Sequence, residues 1–236
     1  MDQLRQDAAR WGLALTERQL AQFAAYEALL LDWNRRMNLT AIREPAGIRR
    51  RHFLDALSCV TVTGSLATRR LIDVGTGAGF PGLPLKILTP SLQLTLVDSV
   101  QKKTRFLTAV VAELGLRDVT ILAERAETLG QDAGHRAQYD WAVARAVAPL
   151  AVLAEYLLPL CRVGGAMLAQ KGAAAANEVA EAAAAVALLG GGEATVTPIQ
   201  LPLQTQRHYL VVVPKNSATP PRYPRRAGMP ARRPLS

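Results

Sequence analysis

From Thr16 onward, apolar residues recur at helical spacing. Phe23, Tyr26, Leu30 and Trp33 fall on one face, and Thr16-Glu17-Arg18-Gln19 has capping-box spacing at the start of that run. A second helical pattern extends from about Pro45 to Val62 and carries the basic run Arg49-Arg50-Arg51-His52. Residues 1–64 therefore read as an N-terminal helical extension. From Arg69 the period changes. Leu71 to Val74, Leu92 to Val97, Val119 to Leu122, Trp141 to Ala144 and Ala166 to Ala169 are short apolar runs of strand length. Helical faces lie between them, with Leu107, Val110, Val111 and Leu114 on one and Leu150 to Leu160 on another. The alanine-rich stretch from Gly172 to Leu189 predicts a surface-packed helix with Glu178 and Glu181 on its polar side. Ala194 to Leu203 and His208 to Val213 predict two last strands joined by Gln204-Thr205-Gln206. This alternation predicts an α/β fold over residues 65–215. Its sheet has seven strands, mostly parallel, with helices on both faces and an antiparallel hairpin at one edge.

The chain has 236 residues, half of them hydrophobic and a fifth charged, which suits one well-buried domain rather than two. Its net charge of +9 invites a polyanionic partner, but the charge is unevenly placed. Five arginines (Arg222, Arg225, Arg226, Arg232 and Arg233) stand between Asn216 and Ser236 with no acid among them. The body is only mildly basic, so charge alone does not choose between a nucleic-acid partner and an ordinary solvated surface. Residues 216–236 are rich in proline and arginine and poor in large apolar groups, and are expected to be disordered. Cys59 and Cys161 lie in apolar stretches without a CxxC partner or histidines at ligand spacing. They read as buried free thiols, and no metal site is expected. Met1-Asp2-Gln3-Leu4-Arg5 has no apolar signal core and no window approaches a membrane span, so the expectation is a cytoplasmic protein with no membrane partner.

The sharpest local signal is Asp73-Val74-Gly75-Thr76-Gly77-Ala78-Gly79-Phe80-Pro81-Gly82. Glycines directly after a first strand allow a tight turn and let a ligand touch backbone. Two ligand classes use this device. Gly77-x-Gly79-x-x-Gly82 satisfies the dinucleotide fingerprint, in which pyrophosphate sits on a helix N-terminus. Asp73-x-Gly75-x-Gly77-x-Gly79 instead resembles the first motif of Rossmann-like methyltransferases. Asp73 favours the second reading, because a carboxylate beside the turn suits an ammonium and a sulfonium and repels a pyrophosphate. Asp98 closes the second strand, where an acid accepts hydrogen bonds from ribose hydroxyls of either cofactor. Glu124-Arg125-Ala126-Glu127 follows the third strand, where such folds contact adenine. An acidic helix start has the same appearance.

A specific family resemblance rests on more than the glycine turn. Trp33-Asn34-x-x-Met37-Asn38-Leu39-Thr40, Arg51-His52-x-x-Asp55 and the glycine–proline loop come first. Asp98-Ser99, Lys102-Lys103-x-Arg105-Phe106-Leu107, Ala144-Arg145-Ala146, Lys171-Gly172 and Arg207-His208-x-Leu210-Val211-Val212 follow in order. Together they resemble the ribosomal RNA small subunit methyltransferase G family, also called the glucose-inhibited division protein B family, over roughly residues 4–215. The resemblance implies a class I, Rossmann-like methyltransferase that uses S-adenosylmethionine to methylate N7 of one guanine in 16S rRNA. It implies a cofactor pocket at Gly75, Phe80, Ala126, Glu127 and Arg145. The partner implied is 16S rRNA in the 30S subunit or its precursor, met by a monomer. Phe80 and Gln170 depart from the family pattern, and the arginine–proline tail has no clear counterpart in it.

Guanine N7 is a nucleophile at neutral pH, so such an enzyme needs orientation rather than a general base. His52, His135 and His208 are too scattered along the chain to suggest a triad, in keeping with that demand. Arg145, just past the fourth strand, is the candidate that orients guanine or the cofactor carboxylate. Its structural alternative is an ion pair with Asp140 or Glu155. Lys171 is a candidate phosphate contact. Arg35, Arg36, Arg49, Arg50, Arg51, Lys102, Lys103 and Arg105 form a candidate RNA-backbone surface, of which about half are expected to act. A small-molecule methyltransferase, an NAD-dependent oxidoreductase and a non-catalytic RNA-binding protein are the competing readings.

Overall fold

Apolar runs without polar alternation belong to strands covered on both faces. The computed structural model describes residues 1–145, 148–202 and 207–235 and builds those runs into β1 (Arg70–Val74), β2 (Gln93–Val97), β3 (Val119–Leu122), β4 (Tyr139–Arg145) and β5 (Cys161–Lys171). With β6 (Thr195–Ile199) and β7 (His208–Pro214) they form one seven-stranded sheet in the order β3-β2-β1-β4-β5-β7-β6. β1 to β5 pair in parallel, and β7 runs antiparallel to both β5 and β6. The expected mostly parallel sheet is present, with the antiparallel hairpin at one edge. Its second strand lies inside the sheet and its first strand is the edge. Pro198 accounts for that choice, since a residue without an N–H is tolerated in an edge strand and not in a central one. β6 ends at Ile199, earlier than expected. Leu203, the Gln204-Thr205-Gln206 joint and Ala146 lie outside the described residues.

Side chains alternate through the sheet. Leu71, Val143, Leu168 and Leu210 point to one face, where they meet Phe23, Tyr26, Phe53, Leu83 and Phe106. Ile72, Val74, Ala142, Ala144, Met167 and Val211 point to the other, against Leu153, Leu157 and Ala182. The first face is covered by α1 (Asp2–Ala9), α2 (Glu17–Met37), α3 (Pro45–Ile48), a π-helical segment (Arg49–Leu54), α4 (Asp55–Leu57), α5 (Val60–Thr63), α6 (Gly82–Leu88) and α7 (Gln101–Glu113). The second is covered by α8 (Ala126–Leu129), α9 (Leu150–Leu157), α10 (Ala175–Leu188) and α11 (Met229–Arg232). The N-terminal extension is thus part of the main core.

The anticipated capping box is formed at the start of α2. Gln19 N–H donates to Thr16 Oγ1 at 3.3 Å and Thr16 N–H donates to Gln19 Oε1 at 2.9 Å. The same Gln19 amide donates to Ile87 O and Leu88 O at 3.0 and 2.9 Å, closing the C-terminal end of α6. Further along the helix, Tyr26 donates its hydroxyl to Ala78 O in the glycine loop. Asn34 braces the chain beyond the helix through Thr40 N–H and O, at 2.9 and 2.8 Å. Cys59 and Cys161 are buried free thiols, and burial pushes Cys161 up to about 12.

The tail is not disordered. Tyr223, Pro224 and Pro230 are buried, and Arg225 makes an ion pair with buried Glu155 at 2.6 Å. Arg136 donates to Thr219 O and Tyr223 O, each at 2.7 Å, and to Pro220 O at 3.3 Å. Sequence composition weighs only apolar burial, whereas this segment is held by arginine hydrogen bonds. Its prolines also lose little conformational freedom on ordering.

Removing one hydroxyl tests how far the extension supports the loop. Tyr26→Phe leaves the Ala78 carbonyl buried without its partner, and a loss of about 1–3 kcal/mol is expected in urea unfolding. A loss below about 0.5 kcal/mol would show that the contact contributes nothing to stability.

Candidate active site

Strand ends at the point where chain order reverses, between β1 and β4, form the crevice in which doubly wound sheets bind ligands. Gly75, Gly77 and Gly79 follow β1 with φ of +68°, +61° and +96°, values that L-residues rarely adopt. A side chain at Gly79 would also strike Leu83 at 2.4 Å and the Tyr26 hydroxyl at 2.6 Å. At Gly77 a Cβ would meet nothing closer than 4.0 Å, so that backbone is open to an approaching group.

Asp73 holds the loop from beneath. Its Oδ2 accepts from Thr76 Oγ1 at 2.6 Å and from Gly82 N–H at 2.8 Å, while Oδ1 is buried without a partner. The side chain is fully buried, and burial raises its carboxyl to about 6 against the opposing effect of these two donors. The motif places Asp73 beside the ligand's positive charges. In the structure its bonded oxygen instead serves the loop itself, because a turn that exposes its outer backbone has to be braced from within.

Asp98 closes β2 as expected. Its Oδ2 accepts Gly77 N–H at 3.0 Å and Lys103 Nζ at 3.2 Å, and its Oδ1 accepts Val100 N–H at 2.9 Å ahead of α7. It lines a cleft of about 160 Å³ together with Val74, Gly75, Val97, Ala126, Glu127 and Tyr156. The structure thus brings together Gly75, Asp98, Ala126 and Glu127. Glu127 differs from expectation in one detail, since its Oε1 accepts Gly228 N–H from the tail at 2.7 Å.

Phe80 and Arg145 belong to the neighbouring part of the crevice. Phe80 is buried, stacked on His52 at 4.6 Å and on Tyr26 at 5.5 Å, with the Arg145 guanidinium 4.8 Å above its ring. Arg145 donates to Asp55 Oδ2 at 3.0 Å, to Arg51 O at 3.2 Å and towards His52 Nδ1 at 3.2 Å. Neither structural partner expected for it is available. Asp140 is held by Arg69 and Arg162, and Glu155 by Arg225. Burial and the adjacent Arg145 lower His52 to about 3, so its ring is neutral near pH 7. His52 Nδ1 lies between the Arg51 carbonyl oxygen at 3.0 Å, which only accepts, and the Arg145 guanidinium at 3.2 Å, which only donates, while Nε2 meets Thr40 Oγ1 at 2.7 Å.

Arg145 lines a second cleft of about 420 Å³ with His52, Asp55, Gln170, Lys171 and His208. Gln170 donates its amide N–H to Asp55 O at 2.9 Å, which fixes the amide's orientation and leaves Oε1 as a buried acceptor without a partner. Sequence reasoning does not select Asp55, His52 and Gln170 as site residues. The i,i+3 spacing of His52 and Asp55 is the available signal, because it sets both on one helical face.

The candidate RNA cations divide. Lys171 is buried, donating to Ala148 O at 2.8 Å and paired with Glu178 at 2.6 Å, so it is an internal cation. Lys103 is committed to Asp98, Arg49 to Glu27 at 2.6 Å, and exposed Arg51 to Glu44 at 2.7 Å. Lys102, Arg105 and Arg35 are not paired in this way, and Lys102 and Arg105 are exposed. Among the described residues no cluster of three or more His, Cys, Asp or Glu could hold a metal, and no helix is long and apolar enough to cross a membrane.

Comparison with known proteins converges on one family. The family model for GidB, the rRNA small subunit methyltransferase G, matches residues 19–209. A relative from Roseiflexus castenholzii named ribosomal RNA small subunit methyltransferase G is 53% identical over 235 residues, covering 100% of both chains. One of the same name from Alkaliphilus metalliredigens is 45% identical, covering 98% of this chain and 97% of its own. Solved structures share the fold at low identity. A predicted O-methyltransferase from Agrobacterium tumefaciens superposes with a TM-score of 0.56 at 18% identity, over 70% of this chain and 80% of that one. An S-adenosylmethionine-dependent O-methyltransferase from Thermotoga maritima gives 0.55 at 15%, over 81% and 72%.

The buried Asp73 makes a pH-dependent contribution of predictable sign. Its folded pKa, about 6, lies above the ordinary carboxyl value of 3.8, so the folded state retains a proton that the unfolded chain releases. Stability therefore falls as pH rises from about 4 to about 6, by roughly 3 kcal/mol from this group. Asp73→Asn keeps an acceptor for Thr76 and Gly82 without the charge and is expected to lack that slope in denaturant titrations at several pH values. An unchanged slope would assign it to other groups.

Proposed function

The chain belongs to the rRNA small subunit methyltransferase G family, and we propose that it transfers a methyl group from S-adenosylmethionine to N7 of one guanine in 16S rRNA. It acts in the cytoplasm, as a monomer, on the 30S subunit or its precursor. The observation that carries this reading is the full-length family match on a chain whose glycine backbone, Asp98 and Glu127 meet around one cleft.

The residues present suit such a cofactor. Open backbone at Gly77 and the apolar walls Val74, Val97 and Tyr156 fit a flat nucleoside, and Asp98 offers carboxylate oxygens at the ribose position. Bound there, S-adenosylmethionine supplies a methyl carbon activated by its sulfonium. Guanine N7 carries a free lone pair, so no residue has to remove a proton, and a neutral His52 is consistent with that economy. The protein's task is to hold N7 in line with the methyl carbon. In the wider cleft, Arg145 presents a planar donor fork to the base. Asp55 holds Arg145 in place and balances its charge. Exposed Lys102 and Arg105 on α7 meet the RNA backbone, a contact that weakens with salt.

Transfer of tritium from labelled S-adenosylmethionine to 16S rRNA and to 30S subunits, with mapping of the labelled base, tests the function. Label on a single guanine is expected. Tight binding of NAD with no binding of S-adenosylmethionine would overturn the reading.

Arg145→Lys preserves a cation for Asp55 but loses the fork. Its kcat/KM for methyl transfer is expected to fall on the order of a hundredfold, about 2.7 kcal/mol of transition-state stabilisation, with the fold retained by circular dichroism. Full activity would remove Arg145 from the site.

A further inference from the structure

The segment after β7 is bonded to α8 and α9, two elements that contribute residues to the cofactor cleft. On α9, Glu155 has no exposure to water. Both its oxygens are taken by Arg225, through the backbone N–H at 2.8 Å, Nε at 2.9 Å and Nη2 at 2.6 Å. Tyr156, the next residue, lines the cleft. On α8, Glu127 also lines the cleft, and its Oε1 takes Gly228 N–H at 2.7 Å. α8 is only one turn long, from Ala126 to Leu129, so its position depends on what is packed around it. Behind it, Gln131 donates to Pro224 O at 2.8 Å, and the Gly130 backbone approaches Pro224 so closely that a Cβ there would lie 2.6 Å from its ring.

We propose that residues 216–235 are a strap that completes the cofactor site. Arg225 acts as a positioning residue through Glu155 on α9, and Gly228 acts through Glu127 on α8. The inference rests on the reading of this cleft as the S-adenosylmethionine site. Withdrawing Arg225 leaves Glu155 as a buried charge without its cation, which the protein relieves by shifting α9 or admitting water. Either response displaces Tyr156. Loss of the Gly228 bond frees the Glu127 side chain and the short helix that bears it. Neither strap residue lines the cleft, so the strap sets the affinity of the pocket and not the rate of the chemical step.

The test compares the full chain with Arg225→Ala, Arg225→Lys and a chain ending at Pro224. S-adenosylmethionine is titrated by calorimetry at a temperature where circular dichroism shows each variant folded. Arg225→Ala and the shortened chain are expected to bind about tenfold more weakly, with Arg225→Lys between them and wild type. KM for S-adenosylmethionine rises in parallel, while kcat at saturating cofactor stays within about twofold. Unchanged affinity in the folded variants, or a fall in kcat at constant KM, would overturn the proposal. If Arg225→Ala and the shortened chain both fail to fold, the strap is a folding element and the positioning role is also overturned. A wild-type chain that does not bind S-adenosylmethionine would instead sink the reading of the cleft itself.

Discussion

A carboxylate with no access to water holds the centre of this molecule. Asp73 Oδ2 joins Thr76, inside the glycine loop, to Gly82, the first residue of α6. A loop left open on its outer side at Gly77 takes its geometry from below and behind. Asp73 supplies the first support and Tyr26 the second, through Ala78 O. The long helix α2 thereby serves the strand end as directly as the sheet does, and its capping glutamine also finishes α6.

On the other side of Phe80 the same problem is solved with charge. The π-helical turn Arg49–Leu54 carries His52 to the Phe80 ring, and Asp55, just past it, reaches the guanidinium at the end of β4. π-turns recur at functional sites because the extra residue per turn redirects side chains that an α-helix would aim elsewhere. Here the outcome is an arginine fixed by a carboxylate, a carbonyl and a neutral imidazole in the wider of two clefts. The narrower is lined by Val74, Val97 and Tyr156 with the carboxylates of Asp98 and Glu127. The wider has arginine, histidine and an unpaired amide oxygen.

Much of this is legible in the order of residues alone. The five parallel strands, the glycine turn and Asp98 are local signals, written in runs of a few residues each. What is not legible depends on pairings across the chain. Arg145 and Asp55 stand far apart in sequence, and nothing near Arg145 says that Asp140 and Glu155 are already engaged by other arginines. Lys171 reads as a cation available to phosphate until Glu178 is seen beside it. The π-turn leaves no mark in the helical pattern that contains it. The tail misleads for a different reason. Its few apolar residues suggest too little burial to order it, yet Arg136 and Arg225 order it with hydrogen bonds whose acceptors no composition reveals.

The antiparallel entry of β7 between β5 and β6 has a consequence for biosynthesis. While the chain is being made, β1 to β5 can assemble in turn, but β5 then presents an unpaired edge from Ala166 to Lys171 until β7 emerges. The short-range β6–β7 hairpin forms most readily on its own and docks as a unit, because its contacts are local and those to β5 are not. Translation therefore passes through an interval in which a nearly whole sheet is sticky along one side. The nascent protein is most exposed to aggregation just before β7 pairs with β5.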